Sequence, residues 1–297
     1  MIRKRLLTLL LGTGMAGIAM PQAYQDIYPD TWVATDGVGR VMPTSEDVPL
    51  KTDKDRTVGI FYVTWHTQNL HDGKEYRADV SRVLAQDPYA SRNNDSPAWT
   101  KSSYHWGEPE WGYFLSQDEY VIRKDMSMLT DAGVDMIIFD VTNAVLYWDE
   151  WAVTLRTMAQ MKKEGNKVPK FCFWAFNGNV ITVEHQLYEK YYKNPQYQDL
   201  WFYWDGKPLL LYNATPSVDA NVGGGEKNLA DYSDEVKQFF TLRNMWWGYY
   251  EWAGNRYVGT EGNWSFGLQL NDKKVAEMKP EQLAATWKGR LEQMSVT

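Results

Sequence analysis

Residues 120–143 read YVIRKDMSMLTDAGVDMIIFDVTN, and they contain one complete helix–strand unit. Ile122, Met126 and Leu129 recur at helical spacing, and Gly133 marks the end of the helix. The run that follows is too apolar for a strand with one exposed face. Such a run is typical of a strand in a parallel sheet that is covered on both faces.

Apolar runs of this kind occur five times along the chain, and each ends in polar or aromatic residues. They span residues 58–66, 134–143, 170–177, 208–213 and 244–252. Helical patterns alternate with them, which predicts an α/β fold, a (β/α)8 TIM-type barrel. Because a closed barrel needs eight strands, we expect this one to be truncated after five or six βα units, with a sixth strand beginning near residue 292.

Two helix boundaries are predicted from local patterns. The sequence SQDE at residues 116–119 matches a capping box, in which the serine and the glutamate each satisfy a backbone donor. Pro280 is expected to open a last helix, because Leu283, Trp287 and Leu291 keep a four-residue spacing.

Missing motifs argue against several functions. An open doubly wound sheet is the alternative architecture, but no glycine-rich phosphate loop follows the first predicted strand, so nucleotide binding has no support. Neither His66 nor His105 belongs to a closely spaced metal-ligand pattern, so no metal is expected. The GxSxG elbow of serine hydrolases is missing from the sequence as well. No cofactor is expected.

The composition is that of an ordinary globular protein. The chain has 297 residues, 44% of them hydrophobic and 23% charged, which excludes a disordered chain. The net charge is −7 and no basic stripe is present. Because a nucleic-acid backbone is bound by clustered Lys and Arg, nucleic acid is not expected as a partner.

The amino terminus has the pattern of a secretory signal. Residues 1–5 (MIRKR) are basic, and residues 6–20 are apolar over a length too short to be preferred as a membrane span. We expect a signal peptide over residues 1–23, cleaved after Ala23 or after Ala19. The protein is therefore predicted to be secreted or periplasmic, without a membrane partner after cleavage.

The remainder is predicted to form a leader and one domain. Residues 24–56 lack periodicity and are expected to be an extended leader that packs on the barrel domain of residues 57–297. Residues 67–116 form a long polar connection, which we expect to lie over the strand ends and to be functional. Cys172 is the only cysteine, so no intramolecular disulfide can form, and we expect it to be a small buried hydrophobe.

Side chains just past the carboxyl ends of the strands line the usual active-site rim of a β/α barrel. Here the rim is predicted to hold His66, Asp140, Asn143, Asn177, Asn213, Glu251 and Trp252. The asparagines offer donors and acceptors for sugar hydroxyls. His66 is expected to bind hydroxyls too, with a hydrogen-bonded core histidine as the alternative.

Aromatic residues are frequent, with 15 Trp, 19 Tyr and 10 Phe making 15% of the chain. Flat rings with a polar edge suit the apolar faces of pyranose sugars, so the sequence predicts a carbohydrate groove that includes Trp106. Core packing is the alternative for any single ring. Placement in loops weakens that alternative for Trp99, Trp106, Trp111 and Trp264.

Glycoside hydrolysis usually needs two carboxyl groups that flank the scissile bond. Asp140 and Glu251 meet the positional requirement, because each ends a predicted strand, and we predict them as the catalytic residues. A structural hydrogen bond is the alternative for each. The loop acids Glu108, Glu110 and Glu261 are further candidates, and Glu108 and Glu261 are predicted to bind substrate.

Three stretches carry a resemblance to a known group of proteins: FYVTWH at residues 61–66, WGEPEWGYFLS at 106–116, and above all residues 120–143. They resemble the barrel domains grouped with glycoside hydrolase families 71 and 99, including exported proteins of gut Bacteroides-type bacteria. The resemblance covers roughly residues 57–297 and is most specific over 104–143.

The resemblance implies a (β/α)8 barrel that acts on a polysaccharide or glycan. Family 99 cleaves within α-mannosidic chains, and family 71 cleaves α-1,3-glucan. The essential glutamates of family 99 lie on late strands, which would fall after Thr297, so no residue of this chain takes their role. The resemblance carries over only the early-strand rim, Tyr62, His66, Asp140 and Asn143, as substrate contacts.

The sequence thus predicts an exported glycoside hydrolase-like domain that acts on an α-mannan or α-glucan. A carbohydrate-binding protein without hydrolysis is the first alternative, since it would keep the aromatic groove. A structural surface protein without affinity for saccharides is the second.

Overall fold

The computed structural model describes residues 33–43, 47, 56–67, 69–70, 74–75, 78–142, 144–175, 180–212, 232–247, 261–266, 277, 279 and 283–295. The predicted signal peptide and most of the predicted leader lie outside these residues. The chain divides into two compact units, Met1–Leu50 and Lys51–Thr297. In the described part of the first unit, Thr35 and Val41 form an antiparallel bridge across a turn.

The second unit contains all the named helices and strands. The strands are β1 (Gly59–Tyr62), β2 (Asn69–Leu70), β3 (Lys74–Glu75), β4 (Met136–Val141), β5 (Lys170–Ala175), β6 (Tyr203–Trp204), β7 (Lys207–Tyr212), β8 (Thr241–Trp247), β9 (Asn263–Phe266), β10 (Ala285–Trp287) and β11 (Arg290–Gln293). The α-helices are α1 (Val80–Gln86), α2 (Glu119–Asp131), α3 (Trp148–Lys163), α4 (Val180–Leu187) and α5 (Asp234–Phe239). Short 3-10 helices span Ala90–Arg92 and Pro195–Leu200, and a π-helical turn, Tyr188–Tyr192, extends α4. Within the described residues, no helix combines the length and the apolarity needed to cross a bilayer.

Six of the described strands form one parallel sheet in the order β1, β4, β5, β7, β8, β9, and β6 pairs with β7 in the antiparallel sense. The order follows the chain without a reversal, whereas a doubly wound sheet reverses at a switch point. The sheet curls into a half-barrel, which confirms the predicted α/β barrel class. The sixth strand prediction is corrected: that strand is β9, and residue 292 lies in β11, which pairs with β10.

The contact between the two outer strands of the sheet shows how strongly it curls. The rings of Phe61 in β1 and Phe266 in β9 lie 4.8 Å apart between centroids, although four strands separate them in the sheet. Both rings pack on the cluster that fills the concave face. Its members are Met136, Ile138, Cys172, Trp174, Phe202, Leu209, Leu211, Met245, Trp264 and Ala285. Cys172 is fully buried, as expected, and burial raises the pKa of its thiol.

The convex face of the sheet packs on the helices through aromatic rings. Phe139 and Phe173 stack with centroids 5.2 Å apart, and Trp151 of α3 meets Phe173 edge-on at 5.1 Å. All three side chains are fully buried. Each buried ring of this size stabilises the fold by roughly 1.5–3 kcal/mol relative to an exposed one. For these rings, core packing accounts for the aromatic content.

The predicted last helix is wrong, because this segment forms the hairpin of β10 and β11. Lys288 and Gly289 connect the strands with φ angles of 49° and 76°. Positive φ at both central residues defines the two-residue turn that suits a hairpin. Leu283, Trp287 and Leu291 are four residues apart. This spacing is close to one turn of a helix, and it is also a multiple of the two-residue period of a strand.

A buried ion pair joins this hairpin to the parallel sheet, near the amino-terminal ends of the sheet's strands. Arg243 of β8 donates to both carboxylate oxygens of Glu292 at 2.8 Å, and it also donates to Asp205 at 2.9 Å. The indoles of Trp204 and Trp264 donate to the same Glu292 carboxylate at 2.7 and 2.9 Å. Burial acts to raise the pKa of Glu292, but these hydrogen bonds outweigh it and lower the pKa.

The predicted capping box is wrong as well. The N-cap of α2 is Asp118, whose carboxylate accepts hydrogen bonds from the backbone of Tyr120 and Val121 at 2.9 and 3.3 Å. Ser116 lies before the helix and binds His66 instead. Aspartate and serine are comparable N-cap residues, so the residue at which the helix begins decides which of them is the cap.

Candidate functional site

The described part of the predicted rim lies at the ends of β1 and β4. Asn143, Asn177, Asn213, Glu251 and Trp252 lie outside the described residues. Asp140, His66, Trp106, Tyr62, Glu108 and Glu261 lie within them.

Asp140 is the penultimate residue of β4 and has the strand parity of Met136 and Ile138, which line the concave face. The residue is only 1% exposed. Its Oδ1 accepts a hydrogen bond from the Thr142 backbone at 2.8 Å, and Oδ2 forms no hydrogen bond of good geometry among the described residues. Burial raises the pKa of Asp140, and the neighbouring donors of Thr142 and Trp65 offset only part of this rise.

This environment favours the protonated form of Asp140. A carboxyl group that retains its proton above the usual pH range is what a general acid requires. The hydrogen bond from the Thr142 backbone to Asp140 joins residues that are two apart in the sequence, so it also fits a local turn. A structural hydrogen bond of this kind is the alternative role predicted for Asp140. Position and burial together allow proton donation at the strand end.

The Trp65 side chain lies beside this carboxyl, and rings of the 67–116 connection pack around Trp65 and His66. The Trp65 and Trp106 rings are 6.0 Å apart between centroids, and His66 meets Trp106 edge-on at 6.3 Å. Phe114 meets the His66 ring edge-on at 4.9 Å. Trp106 is 42% exposed, so one of its surfaces remains open to a ligand. The structure therefore brings Asp140, His66 and Trp106 into one neighbourhood through Trp65.

Two hydrogen bonds between His66 and Ser116 hold the segment that follows β1 in place. The His66 backbone N–H donates to Ser116 Oγ at 3.1 Å, and the Ser116 N–H donates to the His66 carbonyl at 2.8 Å. Ser116 directly precedes the N-cap region of α2. These two hydrogen bonds thus join the segment after β1 to the start of α2, and they bring the two ends of the 67–116 connection together.

The connection forms a groove beside α1, with a volume of about 640 Å³. Its lining consists of His66, Thr67, Ala78, Asp79, Val80, Ser81, Arg82, Val83, Gln86, Ala98, Thr100, Lys101, Tyr104, His105, Trp106, Tyr113, Phe114 and Leu115. We call it the α1 groove. Its volume lies within the usual range for small-ligand sites.

Tyr62 faces the helices rather than the concave side. Its hydroxyl donates to Asp125 of α2 at 2.9 Å, and its ring packs with Phe139 of the convex core. Burial, followed by the charge of Asp125, raises the pKa of Tyr62 well above its ordinary value. This placement gives the predicted substrate contact no geometric support.

The two loop acids that are predicted to bind substrate lie apart from each other. Glu108 is exposed on the 67–116 connection, and its charge adds to burial in raising the pKa of Tyr113. Glu261 precedes β9 and bridges to Thr286 of β10. The amino-terminal ends of the strands lie opposite the Asp140 rim, so Glu261 is separated from Asp140 by the length of the sheet. Trp264, predicted for the groove, is 4% exposed and lies in the concave core.

Glu184 of α4 is a buried acid that sequence reasoning missed. It is 0% exposed, and neither carboxylate oxygen has a hydrogen-bond partner among the described residues. Burial raises the pKa of Glu184 well above 4.5, with the nearby Tyr232 hydroxyl acting in the opposite direction. Burial and the charge of Glu184 raise the pKa of Tyr212, at the end of β7, to about 12. The sequence signal for the burial of Glu184 is its spacing. It lies three, four and seven residues before the apolar positions 187, 188 and 191, which places it on the apolar face of the helix.

Comparisons with known proteins give structural neighbours only. No protein-family model and no curated protein matches the chain. A solved structure of the GH99 endo-alpha-mannosidase from Bacteroides thetaiotaomicron matches with a TM-score of 0.40 and 16% identity, covering 65% of this chain and 56% of that chain. A complex of that enzyme with bis-tris-propane matches with a TM-score of 0.37 and 17% identity, covering 65% and 53%. The chain spans about half the length of these structures.

No group of three or more His, Cys, Asp or Glu side chains within the described residues is arranged to hold a metal ion.

Proposed function

We propose that this chain is a glycoside hydrolase-like domain that acts on an extracellular or periplasmic polysaccharide or glycan of the α-mannan or α-glucan class. The observation that carries the proposal is Asp140, a buried carboxyl at a strand end of a half-barrel, in surroundings that favour its protonated form. The resemblance of residues 104–143 to families 71 and 99 supports the substrate class.

In this proposal Asp140 donates a proton to the glycosidic oxygen as the bond breaks, and the exposed face of Trp106 binds the apolar face of a sugar ring. His66, in contact with Trp106, binds a sugar hydroxyl. A second carboxyl group is needed to stabilise or attack the anomeric carbon. Glu251, which lies outside the described residues, is proposed for that role.

A carbohydrate-binding protein without hydrolysis is the second candidate. The observation that favours it is the α1 groove, whose exposed rings could hold a sugar without any carboxyl chemistry. In that case the Asp140–Thr142 hydrogen bond is a turn that shapes the end of β4.

The test compares the wild-type protein with Asp140→Asn on a panel of α-mannans and α-glucans. The asparagine keeps the side-chain shape but cannot donate an acidic proton, so we expect reducing-sugar release to fall at least 100-fold, the order of a lost general acid, while binding persists. Binding without release by the wild type would support the second candidate. A wild type that neither binds nor cleaves would contradict both and favour the structural surface protein.

A further inference from the structure

We propose that the α1 groove is an accessory subsite for an oligosaccharide, which holds the sugar units that flank the bond at Asp140. This inference rests on the proposed function and extends it to a named surface. The proposal assigns ligand contacts to Tyr104, His105 and Gln86, which lie outside the predicted rim.

The first support is the exposure of two rings on the groove. Tyr104 is 55% exposed and Trp106 is 42% exposed, and their ring centroids lie 6.0 Å apart in an edge-on contact. Two exposed rings in contact form an apolar patch, and a ligand that covers the patch removes this apolar surface from water. Two rings set at an angle offer stacking surfaces to successive sugar units, whose faces are apolar.

The second support is the rigidity of this wall. His105 stacks on Trp99 with centroids 5.0 Å apart, and the Trp99 indole donates to the carbonyls of Ala90 and Asn93 at 3.1 and 3.2 Å. The Tyr113 hydroxyl donates to the carbonyl of Trp106 at 3.1 Å. Rings that are held in place before binding lose less conformational entropy when a ligand arrives.

The hydrogen bonds of His105 fix its chemical role. Its Nδ1 lies 2.7 Å from the carbonyl oxygen of Ser103. Because a carbonyl can only accept, Nδ1 carries the proton in the neutral ring, and Nε2 is left as an acceptor. An acceptor on the groove wall suits a hydroxyl that donates, as sugar hydroxyls do.

The polar groups of the groove suit sugar hydroxyls. Arg82 and Asp79 line the groove and form an ion pair at 3.3 Å, so their charges offset each other, and Lys101 is also part of the lining. Gln86 lines the groove as well, and its amide can both donate and accept. Polar groups beside aromatic rings give the mixture of hydrogen bonds and apolar contacts that a glycan needs.

The groove is continuous with the rim. Trp106 lines the groove and also contacts Trp65, which neighbours Asp140. A sugar chain whose bond lies at Asp140 can therefore extend past Trp106 into the groove without leaving the aromatic surface. Longer oligosaccharides should accordingly bind more tightly than short ones.

The experiment titrates the wild-type protein calorimetrically with α-linked manno- and gluco-oligosaccharides, from disaccharide to hexasaccharide. We expect Tyr104→Ala and Trp106→Ala each to weaken binding of the longer sugars about tenfold or more, and Gln86→Ala to weaken it less. Trp106→Phe, which keeps a ring, should recover part of the loss. Tyr89→Ala is the matched control, because Tyr89 is 76% exposed on the same connection but does not line the groove.

The outcomes separate this subsite from the proposed hydrolysis. Binding that depends on Tyr104 and persists in Asp140→Asn supports the subsite, whether or not any sugar is released. Unchanged affinity in the folded Tyr104→Ala and Trp106→Ala variants overturns it, even if Asp140 proves catalytic. A wild type that binds none of these sugars also overturns it. Thermal unfolding of each variant shows that the loss is local.

Discussion

At the scale of single residues, Glu184 is a fully buried acid that lies among aromatic side chains. Its carboxyl lies inside the protein beside Tyr212 and Tyr232, and no cation is paired with it among the described residues. A buried carboxyl without a charged partner is much more stable protonated than ionised. Folding therefore takes up a proton at a pH that lies between the pKa of Glu184 in the unfolded chain and its raised pKa in the folded protein.

We expect Glu184→Gln to increase the free energy of unfolding at neutral pH, relative to the wild type, by about 1 kcal/mol or more. The pKa of Glu184 in the folded protein is raised above its ordinary value of 4.5. The free energy of unfolding of the wild type therefore falls as the pH rises from 4.5 through the folded pKa. The amide does not titrate, so the advantage of the variant should widen over that interval.

Urea unfolding of both proteins across that interval measures the difference. Glu189→Gln is the matched control, because Glu189 lies on the adjoining helical turn with its side chain 43% exposed. A difference between Glu184→Gln and the wild type that stays constant with pH would contradict the buried, protonated state.

The two buried acids differ in how far the sequence could reveal them. Asp140 was predictable, because a polar residue at the end of an apolar run is conspicuous and strand ends meet at one rim. Glu184 lies within the apolar stripe of α4, but a charged residue on a helix is usually solvated. Only the packing of Tyr212 and Tyr232 against α4 shows that it is enclosed, and residues this distant in sequence carry no local signal.

At the scale of elements, the β10–β11 hairpin depends on one carboxylate. Glu292 accepts hydrogen bonds from Arg243, Trp204 and Trp264, and the side chains of Arg243 and Glu292 are 4% and 6% exposed. The ring of Trp287 also lies 4.0 Å from the Arg243 guanidinium. Loss of this carboxylate leaves a buried guanidinium without its main partner.

We expect Glu292→Gln to reduce the free energy of unfolding by about 3–5 kcal/mol near neutral pH, the usual cost of a buried charge left unpaired. The pKa of Glu292 is lowered, so its contribution is present above the ordinary glutamate range and is lost as the pH falls through the folded pKa. The deficit of the variant should therefore shrink in acid.

The control for this change is Glu164→Gln, which breaks the pair between Arg123 and Glu164, each 38% exposed. Solvent-exposed pairs contribute little, so its effect on urea unfolding should be far smaller. Equal losses in the two variants would show that burial does not set the cost.

Local sequence predicted the helix and strand over residues 120–143 but not the hairpin of β10 and β11. The helix before β4 and the strand itself were predicted from apolar spacing and from Gly133, whose φ of 77° ends the helix. The hairpin was missed, because the four-residue spacing of Leu283, Trp287 and Leu291 fits both periods. The turn at Lys288 and Gly289 decides between them, and the strand after the turn contacts Arg243, which lies 49 residues from Glu292 in the sequence.

At the scale of the whole molecule, the curl of the sheet rests on contacts between strands that are not neighbours. Phe61 meets Trp174 of β5 at 5.5 Å and Phe266 of β9 at 4.8 Å, and Trp174 meets Phe266 at 5.3 Å between ring centroids. These three rings join the first, third and last strands of the sheet across its concave side. Backbone pairing alone sets the order of the strands but not how far the sheet closes.

We therefore expect Phe61→Ala to lower the free energy of unfolding by about 2–3 kcal/mol, less than a fully enclosed phenylalanine because the ring is partly buried. Its neighbour Ile60 has the opposite strand parity and is 40% exposed, so Ile60→Ala should cost less than about 1 kcal/mol. Urea unfolding gives both values. Hydrogen exchange at the amides of β1 and β9 should accelerate together in Phe61→Ala and remain slow in Ile60→Ala. If β1 alone were affected, the curl would depend on strand pairing rather than on the three rings.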